Sequence, residues 1–151
     1  MTTLVDDGMV TDDLIEWLGT ELAPFGIAVG DADSPPAANE ADYPKFLEVR
    51  QLPDGEIPSG GWGQPLAVRG LKYQLRAVGT TRRQAQWVAA RARERLFEYA
   101  IPQGTGYLHS ITLTKHAVVH RENVRELGYV ASGRAGGYLL HVRLRVQRTQ
   151  P

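Results

Sequence analysis

The apolar residues between positions 71 and 99 change from one period to another. From residue 71 to residue 77 they alternate with polar residues, which is the pattern of a strand with one buried face. The apolar members of this strand pattern are Leu71, Tyr73, Leu75 and Ala77. Beyond Gly79 the apolar residues recur at helical spacing, at Ala85, Val88, Ala89, Ala92, Leu96 and Tyr99. This stretch therefore predicts a strand that leads directly into a long amphipathic helix.

The residues between this strand and this helix have the spacing of a capping box. In such a box the hydroxyl of Thr81 accepts a hydrogen bond from the backbone amide of Gln84. The side chain of Gln84 in turn reaches back to the amide of Thr81. We therefore expect the helix to begin immediately after Thr81.

An N-terminal helix is predicted with Thr11 as its N-cap, because Asp12 and Asp13 follow where the helix dipole favours anions. Its apolar stripe is Leu14, Ile15, Leu18 and Leu22, and it ends at residues 24–26. Further strands are predicted at residues 27–29, 46–52, 66–78, 108–119 and 138–146, and residues 121–137 are expected to be a connecting segment. Strands arranged around one long helix indicate an α+β fold. We expect a mostly antiparallel β-sheet of about four to five strands, with one long helix and the N-terminal helix packed on it.

Residues 71–96 resemble the strand–Thr–Arg–helix block of tail terminator proteins, the small tail-completion and neck proteins of long-tailed bacteriophages. Residues 44–50 resemble the first strand of that family, and residues 136–146 resemble its closing strand. Gly60, Gly61, Trp62 and Gly63 resemble its glycine-bearing hairpin. Element order and length agree over residues 10–147, so residues 1–151 are expected to form a single tail terminator-like domain.

The resemblance implies a virion structural protein of the tail and neck, assembled in the host cytoplasm. Such a protein forms a homo-oligomeric ring, usually a hexamer, that caps the tail tube, stops its polymerisation and provides the head–tail joining surface. Its partners would be copies of itself, the tail tube protein, a head-completion or neck protein, and double-stranded DNA passing non-specifically through the ring. The implied mechanism is binding alone, without enzymatic activity or a cofactor.

Charge is divided unevenly along the chain, although the formal net charge is zero. Residues 1–66 contain 13 acidic and 2 basic residues, a net charge of −11, whereas residues 67–151 contain 15 basic and 4 acidic residues, a net charge of +11. Such asymmetry suggests complementary surfaces within the molecule, between copies, or towards partners. The alternative is two solvated faces of one domain.

Expected exposure and charge, not the family, select the candidate interaction residues. They are Gly60, Gly61, Trp62 and Gly63 of the hairpin tip, Arg82, Arg83, Arg91 and Arg95 of the long helix, and Arg143 and Arg145 of the last strand. Trp62 could anchor in a partner pocket or fold back onto its own sheet. A basic surface built from these arginines could instead grip phosphates, which makes a nucleic-acid-binding α+β module the alternative function.

The sequence offers little for catalysis or for metal binding. The chain has no cysteine, which excludes disulfides and thiolate ligands. His116 and His120 would lie about 13 Å apart on a strand, too far to share an ion. His109 and His141 could be cross-strand neighbours, but no carboxylate is placed to complete a site. A small-ligand enzyme is only the third possibility, because no convergent set of acid, base and nucleophile residues is present in the sequence. No apolar run approaches the roughly 20 residues of a membrane span, and the N-terminal residues lack a signal-peptide pattern, so we expect a cytosolic protein without a membrane partner.

Overall fold

The computed structural model describes residues 4–31, 45–53, 68–100, 106–131 and 137–150, which form two helices and five strands. The elements are α1 (Asp7–Leu22), β1 (Ala28–Asp31), β2 (Lys45–Leu52), β3 (Val68–Gly79), α2 (Arg82–Phe97), β4 (His116–Val130) and β5 (Gly137–Arg148). The sheet has the order β1-β2-β3-β5-β4. Among these strands only β1 and β2 pair in parallel. The predicted α+β class with a mostly antiparallel sheet is confirmed.

Both helices contribute to one core against one face of this sheet. The inward residues of the two central strands are those that alternate in the sequence, because side chains on a strand point to opposite faces in turn. They are Leu71, Tyr73, Leu75 and Ala77 on β3 and Leu140, Val142, Leu144 and Val146 on β5, all at most 1% exposed. On α2 the buried residues are Ala85, Val88, Ala89, Ala92 and Leu96, and the three alanines allow the helix to lie close to the sheet.

The N-terminal helix begins five residues earlier than the sequence suggests. Asp6 is the N-cap, and its carboxylate accepts from the amide of Met9 at 3.1 Å. The prediction of Thr11 as N-cap is therefore wrong. The hydroxyl of Thr11 instead bonds Gln51 at 3.1 Å and the phenol of Tyr73 at 3.0 Å, because it lies on the buried side of the helix. The helix ends as predicted, in a 3₁₀ turn (Ala23–Phe25) followed by Gly26 at φ 72°.

The capping box before α2 is half confirmed. The hydroxyl of Thr81 accepts from the amide of Gln84 at 3.1 Å, as expected. The side chain of Gln84 does not reach the amide of Thr81, because Thr80 offers it two donors, its amide at 2.6 Å and its hydroxyl at 2.8 Å. A Cβ at Gly79 would lie 2.8 Å from the amide nitrogen of Ala85, so this tight strand-to-helix turn requires glycine there.

The strand predicted at residues 108–119 lies further along the chain in the structure, as β4. Residues 108–115 are not a strand, and residues 121–130, expected as a connecting segment, belong to the 15-residue β4. The strand forms the edge of the sheet, and three register shifts interrupt its pairing with β5. Because many of its side chains are exposed and the register shifts, its residues do not alternate between apolar and polar. Ile111 and Leu113, which suggested the earlier strand, pack on the core from an irregular segment.

The other predicted elements lie close to their expected positions. The short strand expected at residues 27–29 is β1, and those expected at 46–52, 66–78 and 138–146 are β2, β3 and β5. Tyr99, expected on the buried stripe of the long helix, lies beyond its end and is half exposed. None of the helices in the described ranges is long and apolar enough to cross a membrane.

Candidate interaction surfaces

The face of the sheet that points away from the helices is strongly basic. We call it the basic sheet face and define it by the outward charged residues of β2 to β5. Its basic members are Arg50, Lys72, Arg76, Arg125, Arg143 and Arg145, and its acidic members are Glu48 and Glu122. Register places Lys72, Arg143 and Glu122 in one row across three strands, with Arg145 and His120 in the next row. The face therefore carries four more basic than acidic residues.

Both carboxylates of the basic sheet face contact an arginine of the same face. Glu48 lies 3.3 Å from Arg76, and Glu122 lies 3.2 Å from Arg143. A shallow depression of about 400 Å³ beside the second pair is lined by His120, Glu122, Arg143 and Arg145. Because two guanidinium groups border this open space, it can receive an anionic group from a partner.

His141 lies on the basic sheet face, where its surroundings lower the pKa of its imidazole. Partial burial is the main cause that lowers the pKa of its imidazole, and the nearby charges of Lys72 and Arg125 lower it further. Its Nε2 atom lies 3.1 Å from the amide oxygen of Gln74. A neutral ring between two cations is the expected result.

The arginines of α2 lie on the other side of the sheet from Arg143 and Arg145, so the candidate arginines form two surfaces. The guanidinium of Arg82 lies 5.8 Å from the ring centre of Tyr129, and Arg83 is exposed in the same turn. Arg91 is 2.6 Å from Glu94, and Arg95 is 3.6 Å from Glu21 of α1. Phe25 lies beneath both of these guanidinium groups. These contacts make Arg91 and Arg95 part of the seam between the two helices.

Helix α1 is acidic, with five acidic residues and no basic residue in its sequence. Three of the five carboxylates have partners: Asp7 lies 2.8 Å from Arg69, Asp13 accepts from the amide of Thr114 at 2.6 Å, and Glu21 contacts Arg95. Asp12 and Glu16 are exposed and four residues apart, so they point the same way. We call these two residues the acidic helix face.

Part of the charge split is neutralised inside the molecule. Asp7–Arg69, Glu48–Arg76 and Glu21–Arg95 each join an acidic residue of the first half to an arginine of the second. The acidic helix face and most of the basic sheet face take no part in these three pairs. They lie on opposite layers of the molecule, and the helix layer carries the arginines of α2 as well as the acidic helix face.

Arg121 is an important residue that the sequence pattern conceals. Its guanidinium, 8% exposed, donates to the carbonyl of Leu96 at 2.8 Å and to that of His109 at 2.7 Å. It also lies 4.3 Å from the ring centre of Tyr107. Burial lowers the pKa of this arginine, while Tyr107 raises it. The side chain therefore caps the C-terminal end of α2, although it stands in a polar stretch without any distinguishing signal.

Two of the histidines, His116 and His109, make contacts within the fold. His116 accepts from the amide of Asp6 at 3.1 Å through Nε2 and bonds the carbonyl of Thr114 at 2.8 Å through Nδ1. His109 is 3.4 Å from Glu98 and 3.3 Å from Arg95, and it is not a cross-strand neighbour of His141. Within the described residues, no three His, Asp or Glu side chains come together as a metal-binding group.

The hairpin-tip candidates, Gly60, Gly61, Trp62 and Gly63, lie outside the described residues. The remaining geometry defines a two-layer α+β protein with a basic sheet face on one layer and, on the helix layer, both the acidic helix face and the arginines of α2. No protein-family model matches this chain, and a search of curated proteins finds no relative.

Proposed function

We propose that this protein is a virion structural protein of the tail terminator type. The observation that supports the proposal is the order of its elements. An N-terminal helix precedes two adjacent antiparallel strands, β3 runs directly into the capped helix α2, and the paired strands β4 and β5 close the chain. This is the order that the resemblance implies, with helices on one face of the sheet.

The protein would act by binding alone. Copies would form a ring, usually a hexamer, at the end of the tail tube, where one side of the ring binds the last ring of tube protein. The other side would bind a head-completion or neck protein, and double-stranded DNA would pass through the ring without sequence-specific contacts. The charged faces described above supply polar surfaces for such contacts, since electrostatic complementarity sets specificity and association rate.

Three measurements on the purified chain test this proposal. Mass determination in solution and negative-stain images should show a closed ring with a central opening. Addition of the protein to polymerising tail tube protein should then shorten the tubes and leave a ring at one end. A chain that stays monomeric and does not change tube length would contradict the proposal.

A nucleic-acid-binding module is the second candidate, and the basic sheet face favours it. Lys and Arg side chains on such a face can contact phosphates without reading sequence. Binding of duplex DNA should then fall steeply with salt, because each neutralised phosphate releases a counterion. Reversal of Arg143 and Arg145 to Glu should abolish this binding. Tight, salt-sensitive DNA binding by a monomer would favour this function over a ring.

A further inference from the structure

The acidic helix face and the basic sheet face are complementary in charge. We propose that neighbouring copies join head to tail, with the acidic helix face of one copy seated on the basic sheet face of the next. The central contact would pair Asp12 and Glu16 with Arg143 and Arg145. This inference rests on the proposed ring and specifies how its copies meet.

The spacing of the charges supports this pairing. Asp12 and Glu16 are four residues apart on a helix, a rise of about 6 Å. Arg143 and Arg145 are two residues apart on a strand, a separation of about 7 Å. Two carboxylates can therefore meet two guanidinium groups in register, and guanidinium forks pair well with carboxylates. A groove of about 290 Å³ runs beside Glu16 and leaves room for a long arginine side chain.

The placement of the two faces determines the symmetry of the contact. Helix α1 packs on the inward face of the sheet, whereas Arg143 and Arg145 point outward from it. A two-fold contact through either face alone would bring like charges together, which is unfavourable. A head-to-tail contact instead pairs opposite charges, and repetition of such a contact generates a ring when the rotation closes.

A second copy fits these observations better than nucleic acid does. DNA could occupy the basic sheet face, but it would leave the acidic helix face without a partner. Every copy carries both the acidic helix face and the basic sheet face, so one kind of contact between copies uses both faces.

Charge reversal provides the test, with sedimentation velocity as the measurement. The variants Asp12→Lys/Glu16→Lys and Arg143→Glu/Arg145→Glu should each weaken self-association at least about a hundredfold, because like charges then face each other. The fourfold variant should assemble again, since its reversed faces are once more complementary. An equimolar mixture of the two double variants should also assemble, by alternation. Arg93→Glu, a charge reversal on the helix layer at a residue outside both faces, should assemble like the unmodified protein.

The possible results distinguish a failure of the head-to-tail contact from a failure of the proposed ring. If both double variants form rings as well as the unmodified protein does, the ring stands and the head-to-tail contact is wrong. A fourfold variant that is folded but monomeric also overturns it. If Arg143→Glu/Arg145→Glu loses DNA binding but assembles normally, the basic sheet face is a nucleic-acid surface instead. Circular dichroism checks folding, and the exposed α1 pair tests the contact even if the β5 variant unfolds.

Discussion

At the scale of single residues, Tyr73 places a phenol in an otherwise apolar core. The side chain is fully buried, and its hydroxyl lies 3.0 Å from that of Thr11. Burial raises the pKa of Tyr73 to about 12, although the bond to Thr11 opposes this shift. The neutral phenol is therefore part of the folded state, and its ionisation is coupled to unfolding.

This coupling predicts a loss of stability at high pH. The unfolded chain ionises this tyrosine near pH 10, while the folded chain holds the proton to about pH 12. The contribution of the protonated Tyr73 to the free energy of unfolding is fully present below pH 10. It falls by up to about 3 kcal/mol as the pH rises from about 10 to about 12. Urea unfolding from about pH 9 to about pH 12 should show a shallower decline in Tyr73→Phe. Equal pH slopes in the two proteins would contradict the assignment.

Arg121 shows how one buried cation can hold two segments together. Arg121→Ala removes the donors to the carbonyls of Leu96 and His109, so we expect a loss of about 2–4 kcal/mol in the free energy of unfolding. Arg121→Lys should recover only part of this loss, because a single ammonium cannot match the fork of two donors. Arg125→Ala, on the exposed side of the same strand, should change stability by no more than about 0.5 kcal/mol. Denaturant titration measures all three, and equal losses for Arg121→Ala and Arg125→Ala would contradict the capping role.

At the scale of elements, whether a strand could be predicted from the sequence depends on its position in the sheet. β3 and β5 are central and bury one face, so their apolar residues alternate and both strands could be predicted from the sequence. β4 is an edge strand with register shifts and many exposed side chains, and its sequence resembles a loop. The capped start of α2 could also be predicted, because Thr81 and Gln84 are only three residues apart in the sequence.

The inward register of β5 leads to a stability prediction. Val142→Asp buries a carboxylate without a partner among the core residues, and it should reduce the free energy of unfolding by about 3–5 kcal/mol. Gln147→Asp is the matched control, because residue 147 is exposed on the same strand. Thermal melting measures both variants. Unchanged melting of Val142→Asp would show that the register is wrong.

At the scale of the whole molecule, ion pairs such as Asp7–Arg69, Glu48–Arg76 and Glu21–Arg95 join the acidic first half to the basic second half. They neutralise part of the charge inside the fold, and the acidic helix face and the basic sheet face carry part of the remainder. α1 presents carboxylates on one side, and the outward positions of β3, β4 and β5 present cations on the other. A slab of this kind can associate through opposite faces.

Self-association of this protein should therefore weaken as salt rises. Exposed charges are screened beyond about 10 Å at 0.1 M salt and beyond about 3 Å at 1 M salt. Light scattering at low and high salt should show smaller assemblies at high salt, and Arg143→Glu/Arg145→Glu should show them even at low salt. The same oligomer in all four samples would contradict the electrostatic account.

Trp62 carries a prediction from the sequence alone, since it lies outside the described residues. If it anchors in a partner pocket, Trp62→Ala should leave the isolated protein folded and impair tail completion. Electron micrographs should then show tubes of abnormal length or tails that fail to join heads. Trp87→Ala is a useful contrast, because Trp87 packs against Phe25 at 6.1 Å within the chain and should affect stability first. Normal tails in the Trp62→Ala lysate would refute the anchor.

Local pattern alone was sufficient for the α+β class, the two central strands, the long helix and the cap at Thr81. In each case the signal lies within a few residues, as a period or as a side chain that bonds a neighbouring amide. The list of arginines could likewise be read from the sequence, because a cation is a property of the residue itself.

Contacts between residues far apart in the chain decided the rest. They join the amide of the N-cap Asp6 to His116, bury Arg121 against Leu96 and His109, and place Arg143 and Arg145 on the opposite layer from α2. The position of β4 at the sheet edge and the pairing of Asp7 with Arg69 were also set this way. The physical reason is that packing and electrostatic energies depend on distances in space, and only the folded chain brings such residues together.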